Sequence, residues 1–276
     1  MKLLKANKTF GGETRYYEHD SQSTNTKMKF SCFVPGDINV DSAIIWLSGL
    51  TCTEENFITK AGAQKYLKNT STMIICPDTS PRGTNLPGEH KNYDFGSGAG
   101  FYVNATTEGY KDHYNMYDYI TNEIVEILKN EFKVKKISIT GHSMGGHGAL
   151  VLGIREPDLF ESVSALAPIV NPTNVEWGIR AFKGYLGADM EGAETYDATE
   201  LIKSGHRFEN SILIDQGTAD EFLEKNLKPQ NFVKVCGEAN LEVNLRMQEG
   251  YDHSYYFIST FIKDHIDFHL TALKRQ

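Results

Sequence analysis

The segment Lys135–Leu150, KKISITGHSMGGHGAL, constrains this chain more than any other. It begins as a short β-branched run (Ile137, Ser138, Ile139, Thr140), turns at Gly141-His142-Ser143-Met144-Gly145 and continues in small residues that suit a helix. Glycines on either side of Ser143 let neighbouring backbone pass where side chains would collide. A strand-turn-helix of this kind exposes the serine hydroxyl and turns the Met144 amide toward whatever reacts. It also sets the positive end of a helix beside developing negative charge. The geometry suits an acyl-transfer nucleophile. A glycine-rich turn that merely packs a helix on a sheet would read the same way, so an acid and a histidine placed downstream must decide.

The surrounding pattern predicts an α/β fold. Lys2 to Phe10, Thr14 to Asp20 and Lys27 to Val34 read as antiparallel N-terminal strands. Ala43–Leu47, Met73–Cys76, Ser162–Leu166, Ser211–Asp215 and Leu241–Met247 read as inner strands alternating with helices, which indicates a mostly parallel sheet with helices on both faces. One helix is expected from Met116 to Leu128, one from Leu223 to Val235 and one through Phe257 to His269. Residues 78 to 113 are glycine-rich and irregular, yet aromatic enough to be packed. With 276 residues the chain fits one such domain, 1–276.

Composition excludes several partners. A formal charge of -8 argues against non-specific nucleic-acid binding, and leaves any anionic substrate dependent on local Lys or Arg. No apolar run is long enough for a membrane span, and the N-terminus does not read as a signal peptide. Cys32, Cys52, Cys76 and Cys236 are scattered without a pairing pattern, as expected for free thiols in a reducing, cytoplasmic setting.

Two later loops supply the missing groups. Gln216-Gly217-Thr218-Ala219-Asp220 follows one inner strand and Glu249-Gly250-Tyr251-Asp252-His253-Ser254 follows the last, both on the sheet edge that carries Ser143. Serine, acid and histidine in that order match the α/β-hydrolase arrangement. His253 would take the Ser143 proton and return it to the leaving group. Asp215 lies inside its strand and Asp252 adjoins His253 too closely to aim at its ring, so Asp220 is the expected carboxylate. His265 and His269, four apart on a helix, could share a metal but lack an evident acidic third ligand; they are expected to be amphipathic-helix residues, with no metal and no cofactor.

The stretches LSGLTCTEENF, DTSPRG, DFGSGAGFYVNAT, HYNMYDY, GHSMGGHGAL, WGIRAFKGYLG and GYDHSYYFISTFIKDHIDFH together resemble the S-formylglutathione hydrolase (esterase D) family. The resemblance implies a Ser143, Asp220 and His253 triad and an oxyanion hole of the Leu50 and Met144 amides. It places Cys52 beside the site and Trp177 near the substrate entrance. It further implies hydrolysis of S-formylglutathione to glutathione and formate in formaldehyde detoxification, by a homodimer. The alternative is a broader carboxylesterase acting on small acyl esters with the same triad. Glu176, before Trp177, and Gly109-Tyr110 depart from the family pattern of a proline and a Pro-Trp pair. Arg82, Lys91, Arg180 and Lys183 are available to meet the glutathione carboxylates.

Overall fold

The computed structural model describes residues 1–36 and 38–275. In chain order the strands are β1 Lys2–Thr9, β2 Gly12–Asp20, β3 Lys27–Val34, β4 Ser42–Leu47, β5 Thr72–Pro77, β6 Lys136–His142, β7 Val163–Leu166, β8 Ile212–Gly217 and β9 Val243–Gln248. They form a single nine-stranded sheet ordered β1-β2-β3-β5-β4-β6-β7-β8-β9. Pairing is antiparallel from β1 through β3 to β5 and parallel from β5 to β9. The strands β4, β5 and β7 are buried along their whole length, which is why Ala43–Leu47 and Met73–Cys76 read as continuous apolar runs.

The helices are α1 Glu54–Lys60, α2 Gln64–Leu67, α3 Met116–Asp118, α4 Val125–Asn130, α5 Met144–Arg155, α6 Glu176–Leu186, α7 Ala198–Lys203, α8 Pro229–Glu238 and α9 Tyr255–Leu273. Strand alternation assigns them to faces. Ser164 of β7 turns to α9, where it meets His265 and His269, whereas its neighbour Val163 turns to Gly153 of α5. Helix α1 starts with a Thr53/Asn56 capping box: Thr53 Oγ1 accepts from Glu55 N at 3.2 Å and Asn56 Oδ1 accepts from Thr53 N at 2.9 Å. Among the described residues no helix is long and apolar enough to cross a membrane.

Two expected helices are interrupted. A π-helical stretch, Tyr119–Ile124, separates α3 from α4. The helix expected from Leu223 to Val235 is instead a π turn, Leu223–Leu227, followed by α8. Lys228 between them is left-handed, φ 50°. The physical reason is Pro229, which disfavours helical backbone in the residue before it.

Candidate active site

Ser143 sits between β6 and α5 with φ 59° and ψ -118°, a conformation few non-glycine residues adopt. Its own amide is spent on the Leu166 carbonyl at 3.0 Å. The following turn is pressed against β4: a Cβ on Gly145 would lie 2.0 Å from the Leu47 carbonyl oxygen, so only glycine fits. From the other side comes Gly49, where a Cβ would lie 3.1 Å from the Ser143 Cβ. This approach brings the Leu50 peptide beside the serine. The Leu50 and Met144 amides have no backbone acceptor among the described residues.

The irregular stretch after β5 holds that loop in place. Arg82 Nη2 bonds Asp78 Oδ1 at 2.7 Å and the Cys52 carbonyl at 2.9 Å, while Thr79 Oγ1 donates to the same carbonyl at 2.6 Å. Thr51 N donates to the Gly98 carbonyl at 2.9 Å. Tyr185 of α6 accepts from Gly96 N and donates to the Ala99 carbonyl, 2.9 and 2.8 Å, pinning the segment to the helix layer. Arg82 and Arg180 are therefore not idle cations, since Arg180 pairs with Asp94 and Glu176, both at 2.9 Å. Lys91 and Lys183 are exposed.

At the other end of the sheet edge, His253 Nδ1 donates to Asp220 Oδ2 at 2.6 Å. Asp220 Oδ1 accepts from Phe222 N at 2.9 Å, and Oδ2 also accepts from Gln216 Nε2 at 3.1 Å. With Nδ1 occupied, Nε2 is the ring nitrogen left for Ser143. Asp252 is spent elsewhere: its Oδ1 accepts from Ser254 N at 3.0 Å and from Ser254 Oγ at 2.7 Å, and Ser254 in turn caps α9 by accepting from Tyr256 N at 3.1 Å. Asp215 is bound by Arg246 at 2.6 Å to each oxygen.

Ser143, His253, Leu50, Cys52 and Trp177 line one cavity of about 290 Å³ together with Gly49, Thr51, Tyr93, His142, Phe222, Ser254 and Tyr255. One wall is a chain of rings: Trp177 lies 4.7 Å from Phe222, Phe222 lies 5.1 Å from His253, and His253 lies 4.4 Å from His142. Trp177 Nε1 donates to Tyr93 Oη at 2.8 Å, tying α6 to the irregular stretch after β5. Burial raises the Cys52 thiol above its ordinary range despite Lys60 nearby, so it stands as a protonated neighbour. Burial, then the proximity of His253, pushes His142 well below the usual histidine range, keeping it neutral.

A protein-family profile described as "Putative esterase" matches residues 21–268. The S-formylglutathione hydrolase of Rattus norvegicus is 49% identical over 99% of both chains, and that of Arabidopsis thaliana 47% identical over 97% of this chain and 96% of its own. The chain belongs to the S-formylglutathione hydrolase family. A solved S-formylglutathione hydrolase from Agrobacterium tumefaciens superposes with a TM-score of 0.96 at 42% identity, covering 99% of this chain and all of that one.

Within this family frame the departures are absorbed locally. Glu176 is an exposed partner of Arg180, and the Tyr110 ring packs 5.0 Å from Phe95 while its hydroxyl donates to the Pro87 carbonyl at 3.0 Å. Sequence reasoning missed Gln216, His142, Tyr93 and Phe222. Only Gln216 and His142, one inside each motif already singled out, carried any signal.

His265 and His269 are not on an open helix face. Both are wholly buried. His265 Nδ1 bonds Ser164 Oγ at 2.8 Å, and His269 bonds Ser162 Oγ and Ser164 Oγ, both at 2.7 Å. Their hydroxyl partners come from β7 and the residue before it, more than a hundred residues away, and His265 Nε2 also lies 3.3 Å from Asp215 Oδ2, so the i,i+4 spacing reflects a polar seam under the sheet.

Proposed function

We propose that the chain hydrolyses S-formylglutathione to glutathione and formate, with Ser143 as nucleophile, His253 as general base and acid, Asp220 as its carboxylate, and the Leu50 and Met144 amides as oxyanion donors. The observation that carries the reading is the 2.6 Å His253–Asp220 bond beside a strained serine turn in one cavity. Near-half identity along the full length to S-formylglutathione hydrolases supports the substrate.

Ser143 Oγ attacks the formyl carbon as its proton passes to His253 Nε2. The oxyanion would take the Leu50 and Met144 amides, which have no backbone acceptor among the described residues; donors fixed by the fold need not reorganise as charge develops. The C–S bond breaks and glutathione leaves with the proton from His253. A thiol of pKa near 8.5 leaves far more readily than an alcohol, so little acid assistance is needed. Water, deprotonated by His253, then attacks the formyl ester and releases formate. Asp220 holds the ring so that Nε2 faces the reaction and stabilises the imidazolium.

The same reading has the enzyme serve formaldehyde detoxification in the cytoplasm as a homodimer acting through one domain. The unpaired state of Cys32, Cys52, Cys76 and Cys236 supports a reducing compartment, and sedimentation tests the dimer. The substrate is tested by comparing kcat/KM for S-formylglutathione with that for a short aryl acetate, on the parent and on Ser143→Ala. The proposal requires the thioester to be strongly preferred and both activities to vanish in the variant. An aryl ester preferred over the thioester would instead make the chain a general carboxylesterase.

A further inference from the structure

Gln216, next to last in β8, is wholly buried but only half satisfied. Its Nε2 donates to Asp220 Oδ2 and to the Gly217 carbonyl, each at 3.1 Å. Its Oε1 is buried with no hydrogen-bond partner among the described residues. Turning the amide over would set Oε1 against a carboxylate and a carbonyl, both acceptors, and would leave Nε2 orphaned instead. The assigned orientation is therefore the better one, and it still leaves an unpaired buried carbonyl, which costs stability that an apolar side chain of equal length would not. A group with a net cost at this place has its compensating use at Asp220.

We infer that Gln216 is a positioning residue for the Asp220–His253 pair; the inference rests on the catalytic reading above. An aspartate carboxyl has a broad, roughly two-fold χ2 and is free to rotate unless both oxygens are held. Phe222 N holds Oδ1, and Gln216 holds Oδ2, the oxygen that His253 also uses. The second Gln216 hydrogen ties the same amide to Gly217, whose turn is fixed to the His253 loop by Ala219 N on the Tyr251 carbonyl at 3.0 Å. Position of the carboxylate and position of the imidazole are thereby set from one side chain. Gln216 also draws charge from the oxygen that faces His253, which tempers how strongly the carboxylate favours the imidazolium.

The test uses Gln216→Met, unbranched and without a donor, and Gln216→Glu, which keeps the shape. Gln216→Met should lower kcat by about tenfold with KM little changed, because the loss lies in orientation. With the donor gone, the carboxylate favours the imidazolium more, so the acid limb of the kcat/KM–pH profile should move to higher pH. Its Tm should equal or exceed the parent's. Gln216→Glu donates to Asp220 only while protonated, so its activity relative to the parent should fall as pH rises.

A Gln216→Met enzyme with parent kcat and an unmoved acid limb would overturn the inference. So would a lowered Tm with parent-like activity in the folded fraction, or a Gln216→Glu activity ratio that is flat with pH. Asp220→Asn separates the two levels of argument. If that variant is inactive while Gln216→Met is parent-like, only the role of Gln216 fails; if Asp220→Asn is active, the catalytic pair itself fails.

Discussion

Ser143, His253 and Asp220 gather at the C-terminal edge of the sheet; Ser164, His265 and Asp215 gather beneath it. The residue types agree, and both sets are linked by hydrogen bonds: His253 to Asp220 in the first, and His265 to Ser164 at 2.8 Å and to Asp215 Oδ2 at 3.3 Å in the second. What differs is what surrounds them. Ser143 lies in a strained turn that lines a cavity, and the Leu50 and Met144 amides of that region have no backbone acceptor among the described residues. Ser164 lies inside β7, 0% exposed, and its hydroxyl is saturated by Thr140, His265 and His269. Asp220 meets His253 and the neutral donors Gln216 Nε2 and Phe222 N, whereas Asp215 is largely neutralised by Arg246, which also pairs with Asp264 at 2.9 Å. Burial alone would raise the Asp215 carboxyl; His265 and Arg246 instead hold it down to about 2. Three matching side chains make a structural seam in one place and the proposed nucleophilic site in the other. Strand ends, access and unspent amides make the difference.

The widest gap between the two regions should appear on removing each serine hydroxyl. Ser143→Ala should lower kcat by roughly a millionfold, while Ser164→Ala should leave kcat within about twofold and lower stability by about 1–3 kcal/mol through the histidines left without an acceptor. Steady-state kinetics beside urea unfolding checks both, and a catalytic defect in Ser164→Ala would erase the distinction. Next in size, Asp220→Asn should cost about ten-thousandfold in kcat by presenting the wrong tautomer at Ser143. Asp215→Asn should act on the unfolding midpoint and leave turnover of the folded enzyme intact.

The buried seam should also govern acid stability. Burial lowers His265 and His269, Asp215 opposing the effect at His265, and burial pushes His147 down to about 4. In the unfolded chain each would take a proton below about pH 6.5. The unfolded state then binds more protons than the fold, so stability is complete above about 6.5 and is lost as pH falls, by up to about 1.4 kcal/mol per pH unit for each histidine. Urea midpoints between pH 7.5 and 5 should fall accordingly, and less steeply in His269→Leu; a flat profile would mean that these rings are already charged in the fold. The smallest expected effect is at Cys52. Since its thiol is protonated beside the site and no step passes through it, Cys52→Ser should keep kcat/KM within about threefold.

The two regions were not equally legible in the sequence. Ser143, Asp220 and His253 stand at strand ends flanked by glycines, where backbone crowding leaves a local mark that spacing reveals. Gly145 against the Leu47 carbonyl is the clearest case. The seam leaves no such mark, because His265 and His269 find hydroxyls on β7 and its approach that only the folded sheet brings near. The break at Lys228 was written in Pro229 but outweighed by the helical apolar spacing around it. Residues 78–113 showed their packing through aromatic content, yet the contacts that steady the Leu50 loop, from Arg82, Thr79 and Gly98, join segments that sequence reading treats separately.

The most direct test of the comparison is covalent labelling by an organophosphate, with the modified peptide located by mass spectrometry. A single stoichiometric adduct on Ser143, absent from Ser143→Ala and unaffected by Ser164→Ala, is the predicted result. An adduct on Ser164, or an active enzyme that takes no label, would contradict the account.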